Sequence, residues 1–142
     1  MAAAVDRRNR EALHPLHAVL LAGTLPLFLG VLLSDWAYSS TYEIQWKNFA
    51  SWLLVGALVY CALAVLWSLI ELLRADRRGG RRGLYFLVLL AAWALGFVNA
   101  LVHAKDAWAS MPAALILSVI VALLAVAATV LGFATRRAGD RP

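Results

Sequence analysis

Four long apolar runs constrain this chain more than any other feature of its sequence. They cover residues 16–33, 49–73, 84–102 and 113–134. Each run is close to the 17 to 25 residues that an α-helix needs to cross a hydrocarbon core of roughly 30 Å. Lipid offers no hydrogen-bond partner to backbone groups, so a spanning segment must be a helix or part of a closed barrel. Runs of this length without strand-like alternation predict four transmembrane helices.

Composition supports the same prediction. The 142 residues are 63% hydrophobic and only 15% charged, whereas a soluble domain is about 45–50% apolar and about 25% charged. Short connections leave no room for a soluble domain. The sequence therefore predicts one all-α domain over residues 1–142, an antiparallel four-helix bundle in the membrane, with helices at about 16–34, 49–73, 84–103 and 112–134.

The basic residues predict the orientation of the bundle. Eleven arginines lie in the N-terminal tail, in the turn at 74–82 and in the C-terminal tail, while the other two connections hold only Lys47 and Lys105. Cytoplasmic loops are enriched in Lys and Arg, so we expect both termini and the arginine-rich turn on the cytoplasmic side. Topology and anionic lipid then account for the net charge of +5, and no nucleic-acid partner is needed.

Small and polar residues form stripes along three of the predicted helices. Helices without a hydrophobic drive to associate pack through such residues, and their spacing of three or four residues marks one helix face. The stripes are Ala57, Cys61, Ala64, Ser68 and Glu71; Ala92, Gly96, Asn99, His103 and Asp106; and Ala114, Ser118, Ala122, Ala125, Thr129 and Gly132. In the first helix, Gly23, Pro26 and Gly30 suit a close approach and a kink.

Polar residues at membrane depth are functional candidates because burying them in lipid is costly. An outer group comprises Asp35, Asn48, Asn99, His103, Lys105 and Asp106. Of these, Asn99, His103 and Asp106 share one face of the third helix and should point inward, at the level where Asp35 ends the first helix. A histidine beside carboxylates suits a proton relay, a divalent metal site or a cofactor site. Alternatively, these residues only end helices and tie the outer connections together.

An inner group comprises His14, His17 and Glu71. Both histidines belong to the motif His14-Pro15-Leu16-His17, in which Pro15 suits the first turn of a helix. Glu71 ends the small-residue face of the second helix at the same depth, so we expect a contact between His17 and Glu71. Alternatively, the two histidines only contact lipid headgroups.

The separation of the two groups limits a haem hypothesis. His17 and Asp35 are 18 residues apart, which is about 27 Å along a helix. One haem b held between two histidines of a single chain is therefore disfavoured. A haem with one histidine ligand, a haem shared across a homo-oligomer, and a quinone beside either group all stay open.

These features together resemble a bacterial family of four-helix inner-membrane proteins that is known only as a domain of unknown function. The resemblance rests on the His14–His17 motif, the Pro-containing helix closing on Asp35, Gly56 in the second helix, the arginine-rich turn and Asn99. It covers nearly the whole chain and implies a multi-pass protein of the bacterial inner membrane. Two features depart from the family pattern: Pro26 stands alone where members carry Pro-Phe-Pro-like segments, and Gly83-Leu84-Tyr85 opens the third helix where members often carry histidine.

Some members of that family are joined to, or encoded beside, Rieske-type, cytochrome c or quinoprotein dehydrogenase modules, which implies a redox neighbourhood. Two functions are therefore considered in detail; a third, a small transporter or an enzyme that acts on lipids, has no motif in the sequence to support it. One is a structural or interaction protein that binds partner helices or lipids and is not an enzyme. The other is a redox-associated subunit that anchors a periplasmic dehydrogenase or accepts its electrons through haem or quinone. Motifs for phosphate binding, nucleophilic catalysis and zinc proteases are absent from the sequence.

Overall fold

The structure, a computed structural model, describes residues 14–74 and 80–137, with side chains described as far as residue 134. Its elements are α1 (Pro15–Thr41), α2 (Ile44–Arg74), α3 (Gly80–His103), the short α4 (Ala107–Ser110) and α5 (Ala113–Arg137). The described ranges contain no β-strand. The predicted all-α, four-helix architecture is confirmed.

Four of these helices, all except α4, are long and apolar enough to cross a membrane. With 27 and 31 residues, α1 and α2 are about 40 and 46 Å long, so they extend past a hydrocarbon core of roughly 30 Å. The helices predicted at about 16–34 and 49–73 left residues 35–48 as a connection on the outer side. Instead this segment forms two helix ends and a two-residue turn, because it contains no Pro or Gly to stop a helix. Tyr42, with a φ of 55°, ends α1.

The N-terminus of α1 has the structure that the motif His14-Pro15-Leu16-His17 predicts. Pro15 occupies the first turn, where its missing N–H costs no helical hydrogen bond. The backbone N–H of Leu16 donates to Nδ1 of His14 across 3.3 Å. His14 is thus the N-cap of α1.

The buried positions of all four long helices alternate in steps of three and four residues. This spacing is the 3.5-residue period of left-handed helix bundles. The main series is His17, Leu21, Thr24, Phe28, Val31, Asp35 and Tyr38 in α1; Ala50, Leu54, Ala57, Cys61, Ala64 and Ser68 in α2; Tyr85, Leu89, Ala92, Gly96, Asn99 and His103 in α3; and Ala114, Ser118, Val121, Ala125, Ala128 and Gly132 in α5.

Each long helix packs against two antiparallel neighbours. α1 packs on α2 and α5, and α3 packs on the same two helices, so α1 and α3 are parallel and lie diagonally opposite. The buried faces of α2 and α5 are mostly small residues, whereas α1 and α3 contribute most of the large and polar side chains. The small faces leave space on the bundle axis that the side chains of α1 and α3 fill. The predicted small-residue faces are confirmed, although Glu71 and Thr129 are only half-buried.

The two diagonal helices face each other in one fixed register. His17 meets Tyr85 near one end of the bundle and Asp35 meets His103 near the other, and both pairs are separated by 68 residues. Between them, the ring of Phe28 lies over Gly96. We call the two ends of the bundle the His17 end and the Asp35 end.

Two glycines allow their helices to approach large neighbours closely. A Cβ at Gly23 would stand 2.6 Å from the ring of Tyr60, so this ring of α2 packs directly against the backbone of α1. A Cβ at Gly96 would stand 3.1 Å from Leu58 and 3.2 Å from the ring of Phe28. The predicted close approach at Gly23 is therefore confirmed, and α1 continues as a helix through Pro26.

Most of the arginines that predicted the orientation lie outside the described residues. This holds for residues 7, 8, 10, 77, 78 and 141, and the side chains at 136 and 137 are likewise outside the description. Arg74, Arg81 and Arg82 are described, and all three are exposed at the His17 end.

Gly96→Leu is expected to destabilise the bundle, because the added side chain would overlap the ring of Phe28 at the centre of the core. Overpacking of this kind costs about 1 to 3 kcal/mol. The free energy of unfolding in mixed micelles, measured by SDS titration, checks this. The control is Gly83→Leu, since a Cβ at Gly83 meets nothing within 4 Å. An equal decrease in the free energy of unfolding in both variants would contradict the packing at Gly96.

Candidate functional site

Asp35 is the most unusual residue in the core, since it is an acidic side chain with 0% exposure in a membrane bundle. Its Oδ1 lies 2.8 Å from Nε2 of His103. Its Oδ2 accepts a hydrogen bond from the hydroxyl of Ser118 across 2.5 Å. One carboxyl group thus joins α1 to both α3 and α5.

Asn99 completes the polar arrangement around Asp35. The Asn99 side-chain amide donates to the Ser118 oxygen across 2.8 Å, and Nδ1 of His103 donates to the Asn99 backbone carbonyl across 2.9 Å. The hydrogen bonds therefore connect Asn99, Ser118, Asp35 and His103 in a closed ring. We call these four residues the Asp35 network.

The heptad spacing explains why the network assembles. Asp35, Ser118 and the pair Asn99 and His103 each fall at core positions of their own helices, and the bundle brings those positions to one level. Asn99 is 1% exposed and His103 is 6% exposed. Every polar atom of the network has a hydrogen-bond partner among the described residues except Asn99 Oδ1, which is buried and accepts none.

Lys47 lies next to the network, at the Asp35 end of the bundle. Its ammonium group, from the first turn of α2, donates to the backbone carbonyl of His103 across 2.9 Å and to that of Lys105 across 3.2 Å. A cation at the C-terminus of a helix satisfies free carbonyls and interacts favourably with the helix dipole. The last turn of α3, which carries His103, is held in place by this contact.

Asp106 lies apart from the network, in contrast to the expectation that it points inward with Asn99 and His103. The helix α3 ends at His103, so its face does not continue to residue 106. Asp106 is exposed and precedes α4. The metal-ligand set of His103, Asp35 and Asp106 is accordingly not assembled, and residues 14–74 and 80–134 contain no group of three His, Cys, Asp or Glu side chains suited to a metal ion.

The inner group is organised around Trp67 at the His17 end. His17 is buried, and its Nε2 is hydrogen-bonded to the Tyr85 hydroxyl across 2.9 Å. The ring of Trp67 lies 4.9 Å from that of His14 and 6.1 Å from that of His17, between ring centres. Its indole N–H donates to Glu71 across 3.1 Å. The structure thus brings His14, His17 and Glu71 to one end, with Trp67 in contact with all three.

Trp67 and two residues that carry hydroxyl groups, Ser118 and Tyr85, were not singled out as site residues from the sequence. Ser118 was assigned to the packing face of the last helix, and Tyr85 was noted only as a departure from a family pattern. Each carries a hydroxyl at a core position, which was the available signal. The level of each hydroxyl along the bundle axis depends on how α5 and α3 are set against α1, and the sequence does not display this.

The chemistry open to the Asp35 network follows from its hydrogen bonds. Both ring nitrogens of His103 are engaged, Nδ1 by a carbonyl and Nε2 by a carboxyl group. Neither nitrogen has a lone pair free for a metal or haem iron in this arrangement, because a ligand nitrogen must be unprotonated and directed at the metal. The network is suited to holding and exchanging protons.

Ser118→Ala is expected to lower the free energy of unfolding by about 1 to 2 kcal/mol, because it leaves Asp35 Oδ2 and the Asn99 amide without their buried partner. SDS titration in mixed micelles measures the change. Ser40→Ala is the matched control: the Ser40 hydroxyl also donates to an acceptor on α1, the backbone carbonyl of Trp36, but Ser40 is exposed, so a change within about 0.5 kcal/mol is expected. Equal stability of the two variants would contradict the network.

Comparison with known proteins identifies the family of the chain. The model of a family described as "Predicted membrane protein (DUF2231)" matches residues 13–136. Comparisons with curated proteins and with solved structures give no match. The match covers most of the chain and all four membrane-spanning helices, so the chain belongs to this family, whose function is unknown, and is an integral membrane protein.

Proposed function

We propose that this member of the family acts by binding lipids and partner helices and does not catalyse a reaction of its own. The observation that carries the proposal is that the polar groups of the Asp35 network are hydrogen-bonded to one another. Substrate or cofactor sites instead present convergent polar groups to a cavity. In this bundle the side chains of the Asp35 network join helices, and the residues that face outward are those that would contact the membrane.

The outward faces support binding to lipid and to other helices. Large aliphatic and aromatic side chains are exposed along all four long helices, including Leu33, Leu66, Leu87 and Leu123. At the Asp35 end, Trp36, Tyr42, Trp46 and Trp108 are exposed, and Tyr42 stacks on Trp108 at 4.9 Å between ring centres. Trp and Tyr favour the membrane–water interface. Partner helices, including those of a second copy of the chain, would meet the aliphatic faces.

The His17 end carries the basic residues, and this supports the proposed orientation. Arg74, Arg81 and Arg82 are exposed there, whereas the described basic residues of the other end are Lys47 and Lys105. Arginines beside a membrane attract anionic headgroups, at about 1 kcal/mol each. We place both termini in the cytoplasm and the chain in a bacterial inner membrane, with the Asp35 end in the periplasm.

The redox-associated subunit stays a prediction beside this proposal. It would place haem or quinone near one of the two polar groups and a periplasmic dehydrogenase at the Asp35 end. The engaged nitrogens of His103 favour the interaction protein, because binding iron through this histidine would break a hydrogen bond within the network.

The proposed orientation predicts which introduced cysteines a membrane-impermeant maleimide reaches. Each cysteine is introduced into a Cys61→Ala variant, which lacks the single native cysteine. Cys61 is buried, so its replacement changes neither surface. In intact spheroplasts we expect Ser40→Cys to be labelled at once and Arg82→Cys only after permeabilisation, because each position is exposed at a different end. The reverse pattern would contradict the orientation.

The proposed function predicts that the purified protein retains anionic lipid and shows no haem. Native mass spectrometry of the protein released from nanodiscs should detect bound phosphatidylglycerol, and Arg81→Gln with Arg82→Gln should lower its retention several-fold because two headgroup contacts are lost. Lys105→Gln is the control, at the opposite end.

Visible spectra before and after dithionite reduction should be featureless. A Soret band, or co-purified quinone, would instead support the redox-associated subunit.

A further inference from the structure

The hydrogen bonds of His103 determine how many protons the Asp35 network holds. A backbone carbonyl only accepts, so the contact between His103 Nδ1 and Asn99 O requires a proton on Nδ1. Nε2 lies 2.8 Å from Asp35 Oδ1, and two lone pairs at that distance would repel each other. A second proton must therefore lie between Nε2 and Oδ1.

We propose that the Asp35 network is a proton-binding site, in which His103 and Asp35 share one proton more than a neutral histidine and an ionised carboxylate would carry. The shared proton has two positions of equal net charge. Either His103 is an imidazolium that donates from Nε2 to the Asp35 carboxylate, or Asp35 is a carboxylic acid that donates from Oδ1 to neutral His103. Release to a water molecule leaves the Asp35 carboxylate, neutral His103 and one hydronium ion.

Burial in a membrane bundle favours the protonated form. With its proton the pair has no net charge, whereas loss of the proton leaves one uncompensated negative charge at 0% exposure. Unpaired charges at membrane depth are costly, because lipid cannot solvate them. The remaining bonds to Asp35 come from the Ser118 hydroxyl, which is neutral and cannot replace a cation.

The charged groups around the site lie on the side that faces water. From α2, Lys47 contacts the end of α3. Glu43, between α1 and α2, and Lys105 and Asp106, between α3 and α4, are exposed at the same end. The helix α5 contributes the hydroxyl of Ser118 and no titratable side chain at this level. Protons therefore exchange with water at the Asp35 end, about six residues inside the end of α1.

The rest of the bundle separates this site from the opposite surface. Leu21, Phe28, Leu54, Leu89 and Val121 fill the core between the Asp35 and His17 ends, and each is at most 2% exposed. The two ends are about 27 Å apart along α1. The two hydroxyls on α1 in this interval, those of Thr24 and Ser34, are bonded to backbone carbonyls of their own helix. The site thus takes up and releases its proton on one side and is not part of a path across the membrane.

Spectroscopy of the full-length protein in phosphatidylcholine nanodiscs tests the proposal. With ¹⁵N-labelled histidine and ¹³C-labelled aspartate, the wild type at neutral pH should show either a doubly protonated His103 imidazole by NMR or the carboxylic-acid C=O stretch of Asp35 by infrared spectroscopy. His103→Gln assigns the histidine signal. Neutral His103 together with an ionised Asp35 at neutral pH would overturn the proposal, and this measurement on the wild type needs no variant of Asp35.

Asp35→Asn is the variant that removes the proton while keeping the shape of the network. Its amide N–H can donate to Nε2 of His103 and its carbonyl can accept from Ser118, so every hydrogen bond persists with a neutral histidine. Whichever of the two signals the wild type shows, we expect it to disappear in Asp35→Asn and to persist in Asp106→Asn, an exposed carboxylate at the same end. The melting temperature of the wild type should fall as alkaline pH removes the proton, and that of Asp35→Asn should lack this fall. An unchanged imidazolium signal in Asp35→Asn would contradict the sharing.

A separate experiment tests whether the Asp35 network exchanges its proton on one side of the membrane only. Sealed liposomes that contain the wild type should take up protons under a valinomycin-imposed potential no faster than empty liposomes. Faster uptake that Asp35→Asn abolishes would overturn the apolar separation between the two ends. This outcome is independent of lipid retention and of the orientation in the cell.

Discussion

The contact between Asp35 and His103 is the interaction on which the arrangement of the bundle most depends. Lipid cannot solvate either group, so each needs its partner within the protein. Their contact sets α1 and α3 in register across the bundle axis, and the same register brings His17 to Tyr85 and Phe28 over Gly96. Ser118 extends the contact to α5. A one-turn shift of any of these three helices would leave a buried polar group without a partner.

This dependence explains the unequal composition of the four core faces. Alanine and other small residues predominate on the core faces of α2 and α5, which allows the side chains of α1 and α3 to meet across the axis. In water, burial of large apolar side chains would supply the stability. In lipid the apolar side chains gain little by turning inward, so close packing of small residues and a few hydrogen bonds hold the helices together.

The same physics supports an interaction protein over a redox subunit. A histidine that is engaged at both nitrogens stabilises a helix arrangement and can hold a proton, while a cofactor ligand must keep one nitrogen free. The proposed proton binding and the proposed lipid binding would not compete, because the network is buried on the bundle axis and the exposed apolar side chains lie on the outside. An interaction protein of the proposed kind would therefore be able to respond to protons at one surface.

The sequence by itself determined the four spanning helices, the inward faces and the division of the polar residues between two ends, because these depend on hydropathy and on helical period alone. It placed His103, Asn99 and Asp35 together for this reason. It extended the face of the third helix to Asp106, three residues past the predicted helix end at 103, because a spacing of three or four residues can be continued in a sequence beyond the point where the helix ends. Only the tertiary structure paired His17 with Tyr85 and joined Asp35 to Ser118. Those contacts depend on the relative height and rotation of separate helices, and these are decided by packing between residues far apart in the chain.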